Sequence, residues 1–229
     1  MVDNVKQIGK WEFNQEVALC FDNMLSRSIP NYNVMRELTT MLGSKFAQEG
    51  LVVDIGCSNG LAVENLIKNI DTKYLLMDIS EPMLDVCRKK YEGKENVNVV
   101  KHDLREELPF SEASLVISSL TIQFTPIEYR QKILNDIYSK IKTGGAFIFI
   151  EKVLGESFLT NEMFVNSYYD IKRMNGYSED SIQTKKKSLE GVLVPLTYSF
   201  NEVFLSKAGF KSIDCFWKCL NFCGWIAIK

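Results

Sequence analysis

The stretch LVVDIGCSNGLAVENLI, residues 51–67, decides the fold. Its start, "LVVDI", is a short apolar run that reads as a buried strand. "GCSNG" is a tight turn, and residues 60 to 70 carry apolar positions at helical spacing. Gly56 permits a narrow turn and lets a ligand come close to backbone N–H groups. Gly60 lets the following helix pack near the strand, and Asp54 stands just ahead of the turn.

The same alternation continues along the chain. "KYLLMDI" (73–79) is a second strand, and 81–91 a helix with Pro82 near its start. "VNVVKHD" (97–103) is a third strand and "SLVISSLTIQF" (114–124) a fourth. A helix over about 126–141 follows, and "TGGAFIFIEKV" (143–153) is the fifth strand. Short apolar strands alternating with amphipathic helices imply a parallel sheet covered on both faces. "FKSIDCFWK" and "CLNFCGWIAIK" leave no room for a helix between them and read as an antiparallel hairpin. Ahead of the core, residues 11–29 show helical spacing (Phe13, Val17, Phe21, Leu25). Pro30 breaks that run, and 33–47 reads as a second helix.

The expected fold class is therefore α/β, a Rossmann-like seven-stranded sheet that is mostly parallel with an antiparallel C-terminal hairpin. With 229 residues and 46% apolar composition, one domain is expected. It divides into N-terminal cap helices (1–50), a binding core (51–154) and a helical lid insertion (155–208).

Lys and Arg total 27 against 29 Asp and Glu, a net charge of −2, so nothing draws the chain to nucleic acid as a whole. No run reaches the ~18 apolar residues of a membrane span. The start, "MVDNVKQIGKWEF", lacks the apolar middle of a secretion signal. Six cysteines without a CxxC pair suggest reduced thiols and a cytoplasmic location. Cys215, Cys219 and Cys223 recur every four residues, but the one histidine is far off in sequence, and no metal is expected.

In open parallel sheets, ligands bind beyond the carboxyl ends of the strands. Here three acids end three successive strands: Asp54, Asp78 and Asp103. A carboxylate at Asp78 can accept hydrogen bonds from two ribose hydroxyls. Asp103 can accept from an adenine amino group, with Leu104 against the base. Such a set leaves little room for pyrophosphate and suits a nucleoside with a cationic or zwitterionic tail. The competing reading is that each Asp only caps the helix after its strand.

This combination resembles the class I S-adenosylmethionine-dependent methyltransferases. "RSIPNY" (27–32), "DIGCSNG" (54–60), "IQF" (122–124), "KRMNGYSE" (172–179), "KAGF" (207–210) and the ending "FWKCLNF" resemble the bacterial carboxy-S-adenosylmethionine synthase family. The resemblance runs from about Trp11 to the last residue. It implies S-adenosylmethionine as cofactor and a homodimer. In that family S-adenosylmethionine and prephenate give a carboxylated sulfonium, which a partner enzyme uses on a transfer-RNA wobble uridine. Carried over position by position, the resemblance implies cofactor contacts at Tyr32, Gly56, Cys57, Ser58, Asp78, Ile79, Asp103 and Leu104.

Two positions depart. Ser119 stands where the family has Asn, and Lys186 where it has the Arg that holds the extra carboxylate. Arg offers a planar fork and Lys a point charge, so the second exchange is not conservative. These departures make methyl transfer to a small-molecule acceptor the first expectation, with S-adenosylhomocysteine as product. Carboxy-S-adenosylmethionine synthesis is the alternative, and a non-catalytic S-adenosylmethionine-binding regulator the third reading.

Methyl transfer needs donor and acceptor in line and water excluded, without a strong nucleophile or metal. For a general base the sequence offers few candidates. His102, next to Asp103 in a strand, is expected to point to the opposite face. Glu151, ending the fifth strand, can face the pocket or cap a helix. Tyr168, Tyr169 and Tyr177 can line an acceptor site or pack in the core. Arg173 and Lys186 are the cations expected to meet an anionic substrate; a surface ion pair and a solvated helix face are the bland alternatives.

Overall fold

The computed structural model describes Val5 and residues 9–229. The expected signal-free start and the front of the cap segment therefore lie partly outside the described residues. Two helices open the chain, α1 (Gln15–Ser28) and α2 (Tyr32–Ala47). Asn14 caps α1 by accepting the Val17 N–H at 3.1 Å. Trp11 and Phe13, expected inside this helix, precede it in an extended segment and pack edge-on, 6.3 Å apart.

The core then runs β1 (Val52–Ile55), α3 (Glu64–Asn69), β2 (Tyr74–Asp78), α4 (Glu81–Lys90), β3 (Val97–Lys101), β4 (Ala113–Ser119), α5 (Ile127–Lys140) and β5 (Ile141–Leu154). α6 (Phe158–Met174), α7 (Glu179–Leu189), β6 (Leu196–Thr197), α8 (Tyr198–Ala208), β7 (Ser212–Cys219) and β8 (Phe222–Ile228) complete it. "IQF" is not strand but a single 3₁₀ turn, Ile122–Phe124, just past β4.

The main sheet has the order β3-β2-β1-β4-β5-β8-β7, with the short β6 added to β5. β1 to β5 pair in parallel, and β8 runs antiparallel to both β5 and β7. The expected seven-strand sheet with its C-terminal hairpin is thus observed, plus one two-residue strand. The chain reverses between β1 and β4, so the gap at their carboxyl ends is the place for a ligand.

Alternation along the strands feeds a core on each face. Val52, Leu76, Leu115 and Ile148 pack with Leu66 and Leu84 on the face of α2, α3 and α4. Val53, Met77, Val116 and Phe147 pack with Ile133 and Leu205 on the face of α5 and α8. Both sets are buried, as a parallel sheet covered on both sides requires. Among the described residues, no helix is long and apolar enough to cross a membrane.

Candidate functional site

Gly56, Ser58 and Gly60 all have positive φ, +66°, +50° and +74°, so the chain folds sharply from β1 towards α3. The turn is pinned by the Cys57 N–H to the Met77 carbonyl at 2.9 Å, and by the Gly60 N–H to the Cys57 carbonyl at 2.8 Å. A Cβ on Gly56 would overlap Thr121, whose hydroxyl donates to the Gly56 carbonyl at 3.3 Å. A Cβ on Gly60 would strike Tyr91 and Cys87 of α4. Gly60 therefore serves packing against α4, not against its own strand. Asn59 reaches α1, donating to Asp22 Oδ1.

Above this turn lies a cavity of about 420 Å³, the size of a small-molecule site. Tyr32, Gly56, Cys57, Ser58, Asp78, Ile79, Asp103, Leu104 and Ser119 all line it. Asp78 Oδ2 accepts the Ser58 N–H and Oδ1 the Ser80 N–H, each at 2.8 Å. Burial raises the Asp78 carboxyl above its ordinary range, while these backbone donors pull it back. Part of the capping alternative is thus real: Asp78 steadies Ser80, which caps α4. Ile79 stands 57% exposed on the cavity wall, a flat apolar surface for a sugar or base.

Asp103 is held by Arg105, whose Nε donates to its Oδ1 at 3.0 Å and whose charge keeps the carboxyl below its usual range. Asp54 lies elsewhere. It is 1% exposed, does not line the cavity, and neither oxygen has a hydrogen-bond partner. It shares the sheet face of Val52, below the turn, and burial raises its carboxyl well above the normal range.

Cations line the cavity as well. Lys152 at the tip of β5 and Lys185 of α7 line it, with Lys185 4.5 Å above the Trp11 ring. Tyr168 lines it too, whereas Tyr169 packs on Tyr168 with ring centroids 5.6 Å apart. The expected cations are not here. Lys186 is exposed and off the cavity, one position around the helix from Lys185. Arg173 lies outside in ion pairs with Asp170 at 2.7 Å and Glu179 at 2.9 Å. Tyr177 is buried behind the wall, its hydroxyl 3.1 Å from Ser28 Oγ.

Two candidate bases also change places. Glu151 is turned away from the cavity and accepts the Ile122 N–H at 3.1 Å, its carboxyl pushed up to about 8 by burial. His102, expected on the opposite face, lines the cavity. β3 ends at Lys101, so strand alternation no longer governs the next residue. Lys152 and Lys185 were missed. Alternation from Glu151 would have found Lys152, since neighbours in a strand face opposite sides.

These residues fit an adenosine bearing a positive sulfur. The turn offers close backbone donors, and Asp78 and Ile79 suit a ribose. Among the described residues no group of His, Cys, Asp and Glu is arranged to hold a metal ion.

Comparison with known proteins agrees. A family model described as a methyltransferase domain matches residues 52–145. The carboxy-S-adenosyl-L-methionine synthase of Methylococcus capsulatus is 37% identical over 224 residues, 95% of this chain and 93% of that one. Its namesake from Shigella boydii is 34% identical over 232 residues, covering 98% and 94%. In fold, the chain is similar to human N-acetylserotonin methyltransferase in complex with S-adenosylmethionine. The TM-score is 0.63 at 20% identity, over 94% of this chain and 55% of that one.

Proposed function

Since the chain belongs to the carboxy-S-adenosyl-L-methionine synthase family, with its S-adenosylmethionine-dependent transferase fold, we propose that it makes the carboxylated sulfonium from S-adenosylmethionine and a small carboxylic acid, prephenate being the one the family resemblance implies. One observation carries this reading over plain methyl transfer: a lysine, Lys152 of β5, lines the cavity three strands away from Asp78 of β2. Acids lie at the tips of β2 and β3, and Lys185 of α7 lines the cavity as well. A neutral methyl acceptor needs no such lysines, whereas a carboxylate does.

When bound, S-adenosylmethionine supplies an activated carbon on its sulfonium. In this reading the chain's own residues bind and orient. Asp78 takes the ribose hydroxyls and Ile79 covers the sugar. Asp103 and Leu104 flank the base, while Gly56, Cys57, Ser58, Ser119 and Tyr32 surround the tail. Tyr32 is buried and its hydroxyl is raised above its ordinary range, chiefly by desolvation, so it stays a neutral hydrogen-bonding group. Trp11, Phe13 and Phe124 line the cavity as an apolar cap that excludes water.

A second reading, methyl transfer to a small carboxylate-bearing acceptor, is favoured by Ser119 and Lys186 standing where the family has Asn and Arg. The space over Ile79 and Ser119 is open, which argues against a non-catalytic binder. Incubation with S-adenosylmethionine, with and without prephenate, separates the readings by mass spectrometry. A sulfonium heavier by one carboxyl, formed only with prephenate, is expected. Its absence, with S-adenosylhomocysteine accumulating on some other acid, would favour the second reading. A cytoplasmic homodimer without direct nucleic-acid contact belongs to the same proposal, and light scattering tests the dimer.

A further inference from the structure

We propose that Lys152 anchors a carboxylate of the second substrate, a small carboxylic acid seated beside the Tyr168 and Phe222 rings. This rests on the reading of the cavity as a site for S-adenosylmethionine and an acidic co-substrate, and it names the group that recognises the acid.

Lys152 follows Glu151 at the end of β5 and lies opposite Phe222 in the register with β8. Glu151 points to the α5 side of the sheet, so Lys152 faces the cavity. Its ammonium sits 4.7 Å from the Tyr168 ring centre and 6.0 Å from that of Phe222. Among the described residues no carboxylate pairs with it and nothing accepts a hydrogen bond from its Nζ. A charge of the same sign acts on it: Lys172 of α6, 3% exposed, lies 5.7 Å over the same Tyr168 ring.

That arrangement is costly for an ammonium standing alone. A lysine kept for solubility extends its head to water. Here the head stays against two rings, and another ammonium lies over one of them. Burial and Lys172 together push the Lys152 ammonium down to about 8. An ammonium left without a counter-ion in such a place is destabilising, and an incoming carboxylate supplies the partner.

The position suits the co-substrate rather than the nucleoside. β5 is three strands from β2, where Asp78 stands, a span of about 14 Å across the sheet. The β1 turn and Ser119 at the β4 tip lie between them. A donor lying over β1 and β4 therefore has its nucleoside on the Asp78 side and its reacting end towards Lys152.

The test uses calorimetry on the full chain saturated with S-adenosylhomocysteine, titrated with prephenate and with phenylpyruvate. Wild type is expected to bind at least one of these acids. K152M should weaken that binding by about tenfold or more, and K152R should recover most of it. All three proteins should bind S-adenosylhomocysteine equally, and K152M should melt no lower than wild type, because a buried charge has been removed. K152Q gives the same readout should K152M fail to fold. Equal affinity of wild type and K152M for the acid overturns the proposal, as does a wild type that binds neither acid. If the acid binds through Lys152 but no carboxylated sulfonium forms, the carboxylation reading falls and this assignment stands.

Discussion

Arg27 and Asn175 hold each other reciprocally. Arg27 Nε donates to the Asn175 carbonyl at 3.0 Å, and the Asn175 side-chain amide donates to the Arg27 carbonyl at 2.8 Å. The Arg27 guanidinium also lies 4.3 Å above the Tyr177 ring. The two motifs that mark the family resemblance, "RSIPNY" and "KRMNGYSE", thus meet each other. They fasten the end of α1 to the loop between α6 and α7, two helices that contribute Tyr168 and Lys185 to the cavity lining.

Asn175→Ala removes a side-chain bond of that pair while leaving the backbone. A loss of about 1–2 kcal/mol is expected, seen as a lower urea midpoint with unchanged m. Limited proteolysis should cut within 158–189 sooner than in wild type. If neither changes, the pair does not hold the loop in place.

Gly56→Ala is expected to abolish S-adenosylmethionine binding and to cost about 1–3 kcal/mol of stability. Its φ of +66° disfavours any side chain, and Thr121 occupies the space a Cβ needs. Adding Thr121→Ser relieves the clash with the methyl but not the backbone strain, so the double variant should recover only part of the loss. Thermal melts with and without ligand check both.

For Asp78→Ala, S-adenosylmethionine affinity should fall by about 1.5–3 kcal/mol, the worth of charge-assisted hydrogen bonds. The Ser58 N–H also loses its acceptor, so the turn itself should loosen. Unchanged affinity by calorimetry would take Asp78 out of the site.

Glu151 gives the fold a pH signature. Its carboxyl is near its ordinary value of 4.5 when unfolded and about 8 when folded, raised by burial. Between those values the folded chain keeps a proton that the unfolded chain releases, so stability falls as pH rises from about 4.5 to 8. Lys152 acts in the next window. Lowered from 10.5 to about 8, it favours the folded state as pH rises from 8 to 10.5. Urea melts across pH 5–8 should therefore show a decline that Glu151→Gln flattens. A decline as steep in that variant would assign it to other groups, the buried Asp54 first among them.

The sheet, its order of strands and helices, and the family were legible in the sequence because each rests on short-range pattern. "LVVDI", "KYLLMDI" and "TGGAFIFIEKV" are apolar runs ended by glycines or acids, and such runs leave few alternatives. The cationic wall was less legible. "KKK" at 185–187 does not say which lysine faces inwards, because a helix rotates about 100° per residue and its start was unknown. Lys185 faces the cavity, and Lys186 faces solvent. Asp54 lies away from its expected place for a related reason. Ending a strand puts an acid near the cleft, but the pleat aims it below the turn. Tyr177 and Arg173 lie in a segment whose contacts are with residues some 150 positions earlier or with local acids, and periodicity carries no information about such distant partners.

α1 touches two other segments: Asp22 meets Asn59 of the glycine turn, and Arg27 meets Asn175 past the end of α6. The glycine turn and the loop between α6 and α7 are thus riveted to one rod from distant parts of the chain. Grafting either segment alone into a distant relative would leave half of these joints empty. A chimera keeps this architecture only when residues 14–32 and 172–179 travel together.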